Sequence, residues 1–142
     1  MSTEDNKAIS RRVTEEGWNQ ANTALFDEFI AADFIGHNPD GDIHGLEGYK
    51  QFYANLHSAF PDMRFSVEDQ IAEGDRVVSR FTGTGTHQGE LRGIPPSGKR
   101  FTITGMVIFR YASGRVAEGW YNSDTLGLLQ QIGTLPAPGQ AR

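Results

Sequence analysis

Apolar positions in the first sixty residues recur at helical spacing. Ala8, Ile9, Val13 and Trp18 fall on one stripe and predict a helix over about 5–18. Asn22 is placed to cap a second, short helix whose apolar residues Leu25, Phe26, Phe29 and Ile30 share a face. A third helix is clearest: Tyr49, Phe52, Tyr53, Leu56, Ala59 and Phe60 follow the 3.6-residue period, and Pro61 stops it. The period then changes. Met63, Phe65, Val67 and Ile71 alternate with polar residues, and Glu73-Gly74-Asp75 signals a turn. The β-branched, Thr-rich run from Arg76 to His87 predicts a strand, as do Phe101, Ile103, Val107, Phe109 and Tyr111. Met106 and Ile108 make the opposite face of that last strand apolar as well, which predicts a central strand covered on both sides. Ser113-Gly114 reads as a hairpin tip leading into a strand over 115–122, and Thr125–Ile132 as a final helix closed by Gly133.

Helices first and strands afterwards mean an α+β fold rather than alternating βαβ units. The expected architecture is a curved antiparallel sheet wrapped around the N-terminal helices, with Gly83, Gly85 and Gly105 as bend points. One domain is expected over 5–133, followed by a Pro-rich, flexible tail over 134–142. Composition narrows the function classes. The chain of 142 residues is 37% hydrophobic and 22% charged, as a folded domain should be. Its 13 Lys and Arg against 18 Asp and Glu leave a net charge of -5, which argues against a nucleic-acid partner. The absence of cysteine removes thiolate catalysis, disulfides and Cys-ligated metals. The polar N-terminus and the lack of an apolar run of about 18 residues predict a cytoplasmic protein with no membrane partner.

Most motif-like stretches carry no chemistry. Gly93-Ile-Pro-Pro-Ser-Gly98-Lys99 has phosphate-loop spacing, but Arg100 replaces the magnesium-binding hydroxyl and a strand follows where a helix is required. His37, Asp40, Asp42 and His44 lie close in sequence without a recognisable ligand spacing, so a polar loop is expected and no metal. In the stretch from Glu118 to Gly133, strand alternation puts Glu118, Trp120 and Asn122 on one face, with Asp124 near the same line. A carboxylate beside a Trp in a concave, partly dry site suits proton transfer near neutrality. Asp124 is equally well placed to cap the last helix, and the two roles are compatible.

Trp18-Asn19, the run from Asp33 to Pro39, Gly83-Thr-Gly85-Thr-His87-Gln-Gly89, Gly93–Lys99, and Trp120-x-x-x-Asp124-x-x-Gly127-Leu-Leu-Gln130-Gln-Ile-Gly133 together resemble the SnoaL-like polyketide cyclases, often labelled ester cyclases. The resemblance runs from about Lys7 to Gly133. It implies the cone of nuclear transport factor 2-like proteins (a cystatin-like α+β barrel) with a deep pocket, and a function as cyclase, isomerase or lyase. It implies intramolecular aldol closure of a small hydrophobic carbonyl compound, with no metal or organic cofactor, in a homodimer. By motif position Asp124 resembles the family's general acid/base, with His87 beside it. His37, Trp120, Asn122, Trp18, Arg80 and Phe109 are the expected pocket residues. Gly119, where the family often has His, and Ser123, where an aromatic is frequent, would widen the pocket or change its polarity. His87 has a bland reading as a surface histidine, and Arg80 as a partner of Glu118 or Asp69. A pocket Arg80 flanked by carboxylates would instead suit epoxide opening. A ligand-binding or dimerisation module without chemistry is the remaining alternative.

Overall fold

Ser2 opens the first helix with a capping box. Its side chain accepts the Asp5 N–H, and the Asp5 carboxylate accepts the Ser2 N–H. A computed structural model of the chain describes residues 2–135; residues 136–142, most of the expected tail, lie outside the described residues. Helix α1 (Thr3–Arg12) runs on as a π-helical segment, Val13–Trp18, which widens the last turns. Helix α2 (Ala24–Phe29) begins as expected near Asn22, although Asn22 supplies its carbonyl to the Leu25 N–H rather than a side-chain cap. Helix α3 (Gly45–Ala59) carries the predicted aromatic stripe.

Two strands were not expected. The chain leaves α2 directly into β1 (Ile30–His37), and β2 (Ile43–His44) pairs antiparallel to it. The buried residues Ile30, Phe34 and Gly36 share one parity, but Ala32 between them is exposed, and the pairing shifts register between Ile30 and Ile35. Strands β3 (Arg64–Glu73), β4 (Arg76–Thr86), β5 (Arg100–Ala112) and β6 (Arg115–Ser123) match the predicted ones closely. Ser113 and Gly114, both at positive φ, make the β5–β6 hairpin turn. Helix α4 (Thr125–Gln131) ends before Gly133, whose φ of 91° continues no helix.

The six strands form one curved, unclosed sheet in the order β2-β1-β6-β5-β4-β3. All pairings are antiparallel except β1 with β6, which is parallel and corrects the expectation of a wholly antiparallel sheet. The helices pack on the concave face, where Phe26, Ile30, Phe34, Val77 and Val116 are almost wholly buried. Gly105 is a close-approach position rather than a simple bend: a Cβ there would lie 2.6 Å from the Phe81 ring and 2.9 Å from Ser123 Cβ. Strand β5 is central, but covered on one side only. Phe101, Val107, Phe109 and Tyr111 are buried, whereas Met106 on the convex face is 54% exposed.

Candidate active site

Register decides which side chains meet in the concavity. On β5 and β6 the inward series is Val107 and Phe109 paired with Tyr121 and Gly119. The outward series is Met106, Ile108 and Arg110 paired with Asn122, Trp120 and Glu118. A cavity of about 170 Å³ lies between the sheet and the helices. Its floor is Trp18, carried inward by the π-helical segment, with Tyr49 and Phe52 of α3. Phe65, Phe81 and Phe109 supply the sheet wall, and Leu128 and Leu129 of α4 close one side. The rings meet edge to face: Trp18 lies 5.5 Å from Phe65 and 5.7 Å from Phe52. A Cβ at Gly119 would sit 3.2 Å from the Phe109 ring and 3.3 Å from the Tyr121 ring, so this glycine leaves the space those two rings fill.

Polar atoms are few and placed in two groups. Inside, the Trp18 indole N–H donates to the Tyr49 hydroxyl oxygen at 2.9 Å, and the buried Tyr121 hydroxyl has no partner. At the mouth, Asp40 of the β1–β2 loop pairs with Arg92 of the β4–β5 loop, next to Asn38. Ser123 and Thr125 line the rim on either side of Asp124.

The expected site residues separate accordingly. Trp18 and Phe109 line the cavity, and Asn122 borders it from an exposed position. Asp124 is exposed and is not among the cavity-lining side chains. Its carboxylate caps α4 by accepting the Gly127 N–H at 2.9 Å, the helix-cap geometry rather than an inward one. His87 does not join it. The ring is fully buried at the β4–β5 connection, packed 5.9 Å from Phe60, and its Nδ1 accepts the Ser97 N–H. That bond places the imidazole proton on Nε2, which has no partner. His87 therefore anchors the loop over 93–99, with its backbone bonded to Gly98 and Lys99, and is neither a surface residue nor a cavity base.

His37, Trp120 and Arg80 lie on the convex face, because their strand positions have the outward parity. Arg80 forks onto Asp69 there, one of its two expected pairings. Trp120 is sandwiched between the His37 ring at 5.5 Å and the Arg76 guanidinium at 4.9 Å. His37 Nε2 lies 2.7 Å from a Glu118 oxygen, and Arg110 donates to the other oxygen of that carboxylate. Asp42 is 3.6 Å from His37 Nδ1, and no group of three or more metal-ligating side chains exists among the described residues.

This convex cluster has a pH signature. The Glu118 carboxylate bonded to its ring raises His37 above its ordinary 6.5, and His37 with Arg110 holds Glu118 below its ordinary 4.5. The raised histidine stabilises the fold fully below the unfolded value, and this contribution fades as pH rises through the folded one. The lowered glutamate contributes above its unfolded value and loses that contribution as pH falls. In an NMR titration the His37 ring is expected to show a midpoint above 6.5, and Glu118→Gln should bring it down. A midpoint unmoved by that substitution would break the assignment.

Sequence reasoning missed Tyr49, Phe52, Phe65, Phe81 and Tyr121 as cavity residues, and the Asp40–Arg92 mouth pair. Tyr121 had a usable signal: it shares strand parity with Gly119, and both register opposite buried positions of β5.

Residues 8–132 match the model of a family described as SnoaL-like polyketide cyclase. The chain is 28% identical over 131 residues to the aklanonic acid methyl ester cyclase DnrD of Streptomyces peucetius, covering 88% of each. It is 28% identical over 122 residues to the nogalonic acid methyl ester cyclase of Streptomyces nogalater, covering 82% of this chain and 89% of that one. Among solved structures, TsrD from Streptomyces laurentii superposes with a TM-score of 0.86 at 27% identity, covering 95% of this chain and 99% of that one. No helix of the described residues is long and apolar enough to cross a membrane.

Proposed function

Because the chain belongs to the SnoaL-like polyketide cyclase family, we propose that it cyclises or isomerises a small, largely apolar carbonyl compound by acid/base chemistry that needs no cofactor, in the cytoplasm. The observation that carries this reading is an aromatic cavity whose rim residues Ser123 and Thr125 flank a carboxylate, Asp124. Two relatives are named as cyclases of acid methyl esters. In the proposed reaction, Asp124 exchanges its bond to the Gly127 N–H for a proton on the carbon next to a substrate carbonyl. The resulting carbanion, delocalised onto that carbonyl oxygen, attacks a second carbonyl carbon of the same molecule. A carbon–carbon bond forms, and the new alkoxide takes the proton back from Asp124. The aromatic walls exclude water and so strengthen every polar interaction along this path.

Turnover of a panel of β-keto esters and polyketide-like diketones tests the reading. A fall in turnover of about 10²–10⁴-fold in Asp124→Asn supports it. A second reading, ligand binding without chemistry, is favoured by one specific observation: the Asp124 carboxylate is occupied as a helix cap. Binding of the panel without turnover selects that reading. Epoxide opening loses the arginine it was built on, since Arg80 sits on the convex face with Asp69.

We also propose that the convex face joins two copies. Ile71, Val78, Ile108, Trp120 and His37 stand in one register row across five strands, with Ile71 70% exposed. Met106, 54% exposed, stands in the neighbouring row with Asp69 and Arg80, and the row on the other side carries Glu118 with Arg110. A two-fold axis can oppose such rows to each other. Light scattering is expected to give twice the 15.7 kDa chain mass, and the double substitution Ile71→Asp, Met106→Asp should return the monomer. A wild-type monomer at all concentrations would refute the pairing.

A further inference from the structure

The cavity wall is mostly hydrocarbon and aromatic ring, and two phenols are buried in it. Tyr49 comes from α3 and Tyr121 from β6, so they enter from opposite layers. The Trp18 indole N–H occupies one lone pair of the Tyr49 oxygen. The Tyr49 hydroxyl hydrogen is left without an acceptor among the described residues. Tyr121 is more exceptional, because its hydroxyl is buried with no partner of any kind. Leaving such a group unmade in the interior costs roughly 1–3 kcal/mol, so an unspent donor in a cavity wall calls for an explanation.

We infer that Tyr121 and Tyr49 form a paired hydrogen-bond donor site for one acceptor oxygen of the bound molecule, a ketone or ester carbonyl or the enolate formed from it. The inference rests on reading the cavity as a site for carbonyl compounds and names the two residues that would hold the carbonyl. A carbonyl oxygen has two lone pairs and no hydrogen, so it uses both donors and leaves nothing unsatisfied. An ammonium would find no carboxylate beside the phenols. The charged cavity residues, Asp40 and Arg92, are paired at the mouth. Burial pushes both phenols well above the ordinary tyrosine value, and Tyr49 is close enough to raise Tyr121 further. Both therefore stay protonated through the physiological range and act as donors throughout it. Trp18 polarises Tyr49 by donating to it, which makes the Tyr49 hydrogen a better donor. In an enolate-forming reaction the same two hydrogens would meet growing negative charge, where their bonds strengthen.

The test compares 1-tetralone with tetralin, two bicyclic probes that differ only in the carbonyl. The wild-type chain is expected to bind the ketone at least about tenfold more tightly than the hydrocarbon. Tyr121→Phe should bring the two affinities close together, with the affinity for tetralin unchanged and the melting temperature equal or higher. Tyr49→Phe should narrow the gap in part. The infrared band of the bound ketone, labelled with ¹³C at the carbonyl, should shift to lower frequency in the wild type and move back in Tyr121→Phe. Equal binding of the two probes by the wild type overturns the donor pair while leaving the cavity reading standing. So does a preference that survives in the Tyr49→Phe, Tyr121→Phe double variant. Binding of neither probe overturns both.

Discussion

Asp124→Asn is expected to lower turnover of a β-keto ester or diketone substrate by about 10²–10⁴-fold, the usual contribution of a general base, with the melting temperature unchanged. The pairing of these two outcomes is what makes the substitution informative. Asp124 caps α4 through the Gly127 N–H, and asparagine caps a helix as well as aspartate does. The amide therefore keeps the hydrogen bond and the geometry of the β6–α4 junction, but it cannot take a proton from carbon. Asp124→Ala separates the roles in the other direction, since it removes base and cap together and adds a stability loss of about 1 kcal/mol. The kinetic split matters too. A residue acting only in proton transfer lowers kcat with little change in KM, whereas a residue that merely shapes the rim moves KM. Undiminished turnover in Asp124→Asn, with the fold intact, would assign the carboxylate to the cap alone.

Phe26→Ala is expected to cost about 3–5 kcal/mol, a large share of a typical domain stability of 5–15 kcal/mol. Thermal unfolding should fall by roughly 10–20 °C. Phe26 is fully buried, and its ring meets Tyr49 at 5.0 Å, Tyr53 at 5.3 Å and Trp18 at 6.3 Å. It lies against Trp18 and Tyr49 of the cavity floor. A Cβ at Gly17 would fall 2.7 Å from the same ring, so the π-helical segment is already pressed against it and has little freedom to close a void. Ligand affinity should drop along with stability, because Trp18 and Tyr49 would lose their common support. Denaturant unfolding measures the effect, and a loss below 1 kcal/mol would show that the floor is held elsewhere.

The helices and four of the six strands were legible because their periods are clean. Five aromatic or apolar residues of α3, and Phe60 just after it, keep helical spacing up to Pro61, and β3 and β4 carry long alternating or β-branched runs. Strand β1 was not legible. Its three inward residues are unevenly spaced across a register shift, and its partner β6 lies some eighty residues away. The cavity wall was misassigned for a related reason. On β5, Met106 and Ile108 are as apolar as Val107 and Phe109, so alternation alone does not say which series faces in. Choosing Glu118, Trp120 and Asn122 as the inward set on β6 moved the whole row to the wrong side, since neighbouring positions point to opposite faces. Tyr121 was passed over by the same step. His87 was expected as a base beside Asp124 or, in the bland reading, as a surface histidine, yet the β4–β5 loop folds back and buries it against Phe60 and Ser97.

Local order along the backbone was therefore written in the chain itself: where helices start and stop, where the period turns from 3.6 to 2, and which glycine closes α4. These depend on residues within a few positions of one another, and short-range sterics and capping are enough to specify them. Tertiary packing alone chose the face of β6 that looks onto the cavity, the parallel placement of β1, and the lining of one cavity by Tyr49 and Tyr121. Each of those joins residues far apart in the chain. Their arrangement follows from burying one apolar face and leaving a nearly equal one outside, a balance that only the assembled sheet and helices can strike.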